Sequence, residues 1–125
     1  MVLFHGTNGD NILRILATRH MEPNAQGEIF FAKYDWTSAL MHGADRLRKA
    51  AFVLKVEIDS MSKGTKPQNI STQGVASTLL LKSDAPVRVR VIELIARKRT
   101  AEGFVVEHVT GENSIRAYLQ RPQSS

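Results

Sequence analysis

The sequence predicts a single α+β domain, with two helices near the N-terminus followed by a run of strands that pack as mixed sheets face to face. Three observations lead there. Ile12, Ile15 and Leu16, and then Trp36, Leu40, Ala44 and Leu47, recur at helical spacing. From Ala51 onward the period falls to two, with Phe52, Leu54, Val56 and Ile58 on one face and Val53, Lys55 and Glu57 on the other. A chain of 125 residues with 42% apolar content is one domain's worth of core, able to bury about two thirds of its unfolded surface. The domain is expected to span residues 1–120, with 121–125 as a disordered tail.

Each element has its own warrant. Val2-Leu3-Phe4 is a short apolar strand, and Asp10 is a plausible N-cap for the first helix. Pro23, Asn24 and Gly27 mark a loop, and Ile29 to Lys33 is apolar on both faces, as a central strand would be. Asp35 can cap a second helix from Trp36 to about Ala50, and Ala51 to Ile58 is the alternating strand above. The stretch from Asp59 to about Ala76 has no period and reads as a long loop. Thr78 to Lys82, Val87 to Ala96 and Phe104 to Val109 read as three further strands, the last two joined through residues 98–103.

Composition narrows the function. A net charge of +5 favours an anionic partner: nucleic acid, a phosphorylated cofactor or an acidic protein. The absence of cysteine removes disulfides and thiolate zinc sites. His5, His20, His42 and His108 lack ligand spacing, so no metal site is expected. No apolar run reaches the roughly 18 to 20 residues of a membrane span, no signal peptide is evident, and a monomer is expected. Arg46, Arg48 and Lys49, and Arg97-Lys98-Arg99, either track phosphates or form solvated faces. Arg88 and Arg90 alternate with valines, so they share a face that is exposed or meets an anion.

Four short motifs occur in order: His5-Gly6-Thr7 closing the first strand, Asn11 through Ile15-Leu16, Gly27-Glu28-Ile29-Phe30-Phe31-Ala32, and Ser38-Ala39. Residues 51–58 and then Asn69 to Glu93 follow as a third strand and a loop-strand-strand unit. In this order the chain resembles the ADP-ribosyltransferase superfamily, in its poly(ADP-ribose) polymerase-like, diphtheria-toxin-like branch, and the related tRNA 2′-phosphotransferases. The resemblance implies the split mixed β-sheets of that superfamily, with NAD as co-substrate. It implies that His5 bonds the nicotinamide ribose, that Gly6 holds the carboxamide through its backbone, and that Ser38 offers the carboxamide a hydroxyl. Phe30 takes the place of the family's stacking tyrosine, Ala32 leaves room for the flat ring, and Thr7 and Phe31 complete the two strands that grip NAD. Tyr34 is a second candidate for stacking, weighed against a surface position.

The chain departs from the family where its catalytic glutamate would open the strand at Thr78 to Lys82. Thr78 stands there, with Ser77 beside it and Gln73 within a short loop shift, and none is acidic. Glu93, Glu107 and Glu112 come late in the order, Glu107 on the last strand being the one to keep in view. His5, Phe30, Thr78 and Gln73 are therefore the expected catalytic set.

Two functions follow as expectations. The first is a mono-ADP-ribosyltransferase that moves ADP-ribose from NAD to a macromolecular acceptor, RNA before protein. The second is an inactive module of the same fold that binds nucleic acid. A core that starts at residue 2 suits the C-terminal cassette of a bacterial effector toxin, delivered as part of a secreted effector. Such a toxin acts in a target cytoplasm and is held in check by an immunity protein.

Overall fold

The computed structural model describes residues 2–34, 36, 37, 39, 50–72 and 75–120. In chain order these form β1 (Val2–Thr7), α1 (Gly9–Thr18), β2 (His20–Met21), β3 (Glu28–Ala32), β4 (Ala50–Ser60), β5 (Lys66–Thr72), β6 (Val75–Lys82), β7 (Val87–Thr100), β8 (Gly103–Thr110) and α2 (Glu112–Gln120). Trp36, Thr37 and Ala39 are helical, and the rest of the expected second helix lies outside the described residues.

The strands join one sheet in the order β2-β7-β4-β1-β3-β6-β5, and β8 pairs with β7. Every described pairing is antiparallel. The fold is α+β as expected, but the expected mixed sheets packed face to face are replaced by this one antiparallel sheet. Consecutive strands pair as β5 with β6 and as β7 with β8, the latter a hairpin through Ala101-Glu102, while neighbours such as β1 with β4 and β4 with β7 are not consecutive in the chain. Gly103, at φ 124°, closes that hairpin in a region that side-chain-bearing residues avoid.

Alternation sends two sets of side chains to opposite faces. On one face Leu3, Phe31, Leu54, Val56 and Leu81 pack against Ile12, Ile15 and Leu16 of α1 and Ile115 of α2. On the other, Ala32, Val53 and Ile95 form a smaller cluster with Ala39, flanked by Phe4 and Trp36. Each fully buried Leu, Ile, Val or Phe contributes about 1.5–3 kcal/mol relative to exposure, so the helix-covered face carries most of the stability.

Strand β7 serves both clusters because it slips phase. Lys55 lies opposite Glu93 and the next residue, Val56, opposite Val91, which leaves Ile92 as an extra residue. Before the bulge Val87, Val89 and Val91 face the helices; after it Leu94 does, and Ile95 turns to the smaller cluster.

Several boundaries differ from expectation. Asn8, not Asp10, caps α1: its side chain accepts from the Asn11 amide at 2.8 Å. The stretch expected as a long loop contains β5, an edge strand whose Lys66, Pro67, Gln68 and Asn69 are exposed and hence show no apolar period. Helix α2 was absent from the expected elements. It has one fully buried residue, Ile115, with Tyr118 and Leu119 half-buried at the next turn. The last expected hairpin loop is shorter, because β7 runs on through Thr100.

Candidate functional site

The site expected from the sequence lies where β1 leaves β3. Against β4, β1 is in register from Val2 opposite Glu57 to Thr7 opposite Phe52. Against β3 the one described pair is Phe4 opposite Ala32. Ala32 in turn lies opposite Thr78 of β6, so Phe4, Ala32 and Thr78 form a row across three strands. A small residue at its centre lets the flanking side chains share the space above it.

Beyond Phe4 the gap between the strands is bridged by a side chain. His5 donates from Nδ1 to the carbonyl oxygen of Phe30 at 2.8 Å. A carbonyl only accepts, so the proton sits on Nδ1, and in the neutral ring Nε2 is an acceptor. The imidazole also meets the ring of Phe31 at 5.6 Å between centroids, inclined at 56°. Backbone and aromatic contacts together fix the plane of His5.

Gly6 and Thr7 follow, both buried. The hydroxyl of Thr7 accepts from Nδ2 of Asn11 at 2.8 Å. Asn11 thereby ties the end of β1 to the first turn of α1, while Asn8 caps that turn. The Asn-x-x-x-Ile-Leu pattern marked Asn11 as part of a helix stripe; its polar link back to Thr7, four residues earlier, was not read from the sequence.

The remaining expected residues divide into three groups. Phe30 and Thr78 are half-buried and Ala32 is buried, with Ala32 and Thr78 on one row. Phe31, also expected to grip NAD, is only 2% exposed and is among the largest fully buried side chains. Its link to the other expected residues is the tilted ring contact with His5. Tyr34 is 65% exposed, with the Lys33 ammonium 5.3 Å from its ring centre, and Lys33 donates to Oδ1 of Asn69 at 3.0 Å. Ser38 and Gln73 lie outside the described residues, as do His42, Arg46, Arg48, Lys49 and the tail 121–125.

None of the late glutamates stands beside Thr78. Glu107 lies opposite Ala96, in a row that runs through Phe52 to Thr7, three strands from β1 and thus roughly 14 Å away. It sits 4.0 Å from Nζ of Lys98. Glu93 accepts from Nδ1 of His108 at 2.5 Å, and Glu112 pairs with Arg19 at 3.3 Å. The strand neighbours of Thr78 are Ala32 and Ile70.

The chain matches no family model, no curated protein and no solved structure.

Electrostatics elsewhere answer the question posed by Arg88 and Arg90. Both are exposed, and each meets a carboxylate on β4: Arg88 with Asp59 at 3.1 Å, Arg90 with Glu57 at 2.9 Å. With the Arg19–Glu112 pair they line a pocket over β4 and β7 that is balanced in charge. Among the described residues, no group of three His, Asp or Glu side chains is placed to hold a metal ion. No helix among them is long and apolar enough to cross a membrane.

Proposed function

We propose that this chain is an NAD-dependent mono-ADP-ribosyltransferase whose nicotinamide mononucleotide half lies where β1 parts from β3. The observation that carries the reading is the His5–Phe30 bond. It joins the His-Gly-Thr strand to the Gly-x-Ile-aromatic-Phe-Ala strand and makes Nε2 an acceptor, the role a ribose hydroxyl requires. The backbone of Gly6 can approach a carboxamide closely, and Ala32 leaves space beside Phe30 for a flat ring.

With no acid in register beside Thr78, catalysis rests on positioning and on preorganised dipoles rather than on a strong general acid or base. The nicotinamide–ribose bond breaks as nicotinamide departs, and a nucleophile of the acceptor attacks the anomeric carbon. RNA is the favoured acceptor, on the net charge of +5 and on the neutral residue at position 78. A toxin role, delivery within a secreted effector and restraint by an immunity protein belong to this reading as proposals.

The same neutral Thr78 favours a second reading, a module of this shape that binds nucleic acid without turnover. Free nicotinamide separates the two. Purified protein, NAD and cell lysate should release nicotinamide and transfer label from NAD, and label in the RNA fraction rather than the protein fraction identifies the acceptor. If neither nicotinamide nor label appears, the enzyme reading fails. Millimolar NAD should also raise the thermal midpoint of the transferase and leave that of a pure nucleic-acid module unchanged.

A further inference from the structure

The two edges of the sheet are built differently. At one end β5 opens with Lys66 and Pro67, a charge and a residue without an amide proton, both of which discourage another strand from pairing. At the other end β8 (Gly-Phe-Val-Val-Glu-His-Val-Thr) has no lysine and no proline, and pairs only with β7 among the described residues. Every second residue of β8 therefore directs its N–H and C=O away from β7.

The side chains on this edge are apolar and exposed: Phe104 by 59%, Val105 by 46% and Val106 by 36%. Single exposed apolar residues need no explanation, but three in succession on an unprotected edge form a template for pairing. A cation also lies beside this edge. The guanidinium of Arg97 lies 4.4 Å from the centre of the Phe104 ring, whereas Lys98, on the opposite face of the sheet, lies 5.1 Å from the ring of Tyr118 and 4.0 Å from the carboxylate of Glu107.

We propose that β8 is a docking edge for an extended polypeptide segment in which apolar and acidic residues alternate. The segment adds a strand to the sheet, its apolar side chains covering Phe104 and Val106 on one face or Val105 on the other. A strand there runs two strand spacings from β7, about 10 Å, which is near the screening length at physiological salt, so carboxylates that share the face of Arg97 feel its charge. Charge decides against a second copy, since each chain carries +5. The exposed amide edge decides against nucleic acid, which would use Phe104 and the cations but leave the strand amides without strand partners. This inference stands apart from the NAD reading.

The test needs no NAD, so its failure leaves the transferase proposal standing. A fluorescein-labelled ten-residue peptide of alternating valine and glutamate is titrated with the protein and followed by anisotropy. Saturable binding is expected. It should weaken at least tenfold for the same peptide N-methylated at its four central residues, for a valine-lysine version, and for V105K/V106K protein whose circular dichroism and thermal midpoint are retained. Amide exchange at 103–108 should slow when the acidic peptide binds. The proposal is overturned by no binding, by equal binding of the N-methylated or lysine peptide, or by exchange that does not change. It is also overturned if the free protein is a dimer with these amides already protected, or if oligo(U) displaces the acidic peptide.

Discussion

The imidazole of His5 ties β1 to β3, its Nδ1 donating to the carbonyl oxygen of Phe30 at 2.8 Å. One side chain thus combines a structural duty with the acceptor nitrogen on which the proposed chemistry depends.

Substitutions at His5 separate the two duties. In His5→Asn the amide nitrogen falls near the position of Nδ1 and keeps the bond to Phe30, while the Nε2 position is lost. Its thermal midpoint should stay within a few degrees of the parent and nicotinamide release should vanish. His5→Ala should lose both, with a stability cost of about 0.5–1.5 kcal/mol in urea titration. Parent-like turnover in the Asn variant would remove His5 from the proposed site.

Phe31 and Tyr34 sit three residues apart and should behave in opposite ways. Phe31→Ala opens a cavity in the helix-covered core and should cost about 3–5 kcal/mol. Tyr34→Ala, at a position 65% exposed, should change stability by no more than about 0.5 kcal/mol. Denaturant midpoints read both, and a large loss in the Tyr34 variant would contradict its exposed setting.

Ala32 lies between Phe4 and Thr78 and is 7% exposed. Ala32→Leu forces extra methyl groups into that row and should destabilise the fold by about 1–3 kcal/mol. If NAD binds beside Phe30, the variant should also lose the thermal shift that NAD produces at temperatures where it remains folded. A full NAD shift in this variant would move the ring pocket elsewhere.

Capping discriminates Asn8 from Asp10. Because the Asn8 side chain accepts the Asn11 amide, Asn8→Ala should cost about 1 kcal/mol, whereas Asp10→Ala loses only an exposed first-turn charge and should cost about 0.3–1 kcal/mol at low salt. Raising the salt should erase the smaller effect and leave the larger, which thermal melts at two ionic strengths will show.

Arg88 and Arg90 are exposed and paired with carboxylates on the neighbouring strand. Each pair is worth about 0.2–1 kcal/mol, and neither arginine is a ready phosphate ligand. R88Q/R90Q protein should bind a polyanion with nearly the parent salt dependence in filter binding. A salt slope reduced by about two would show that these arginines do contact phosphate.

Much of the core was legible in the sequence because side-chain alternation is written directly into it. The helix stripe of Ile12, Ile15 and Leu16, Leu54 and Val56 of the alternating strand and the valines of β7 all reappear as buried positions, with Phe52 and Ile58 half-buried beside them. What escaped had weaker or conflicting signals. Strand β5 is an exposed polar edge with a proline, so nothing apolar repeats in it. Helix α2 is short and buries Ile115 fully, with the half-buried Tyr118 and Leu119 completing a stripe that is legible only in retrospect. The arrangement of one antiparallel sheet depends on which strands meet, and periodicity within a strand carries no such information. Within the candidate site, the motifs marked His5 and Phe30, but the bond between a side chain and a carbonyl 25 residues away is set by how two strands diverge.

The extra residue in β7 makes the two halves of that strand unequal partners in any change of chain length. A single deletion at Ile92 would remove the bulge and still leave Leu94 opposite Leu54, towards the helices, and Ile95 opposite Val53, whereas a deletion further along β7 would turn the positions on one side of it to the wrong face. The same deletion in the turn at 63–64 would alter only a connection. Within β7, tolerance to a single deletion should therefore be greatest at residue 92, which makes this bulge the place where the strand can shorten without disturbing the sheet's outer edge.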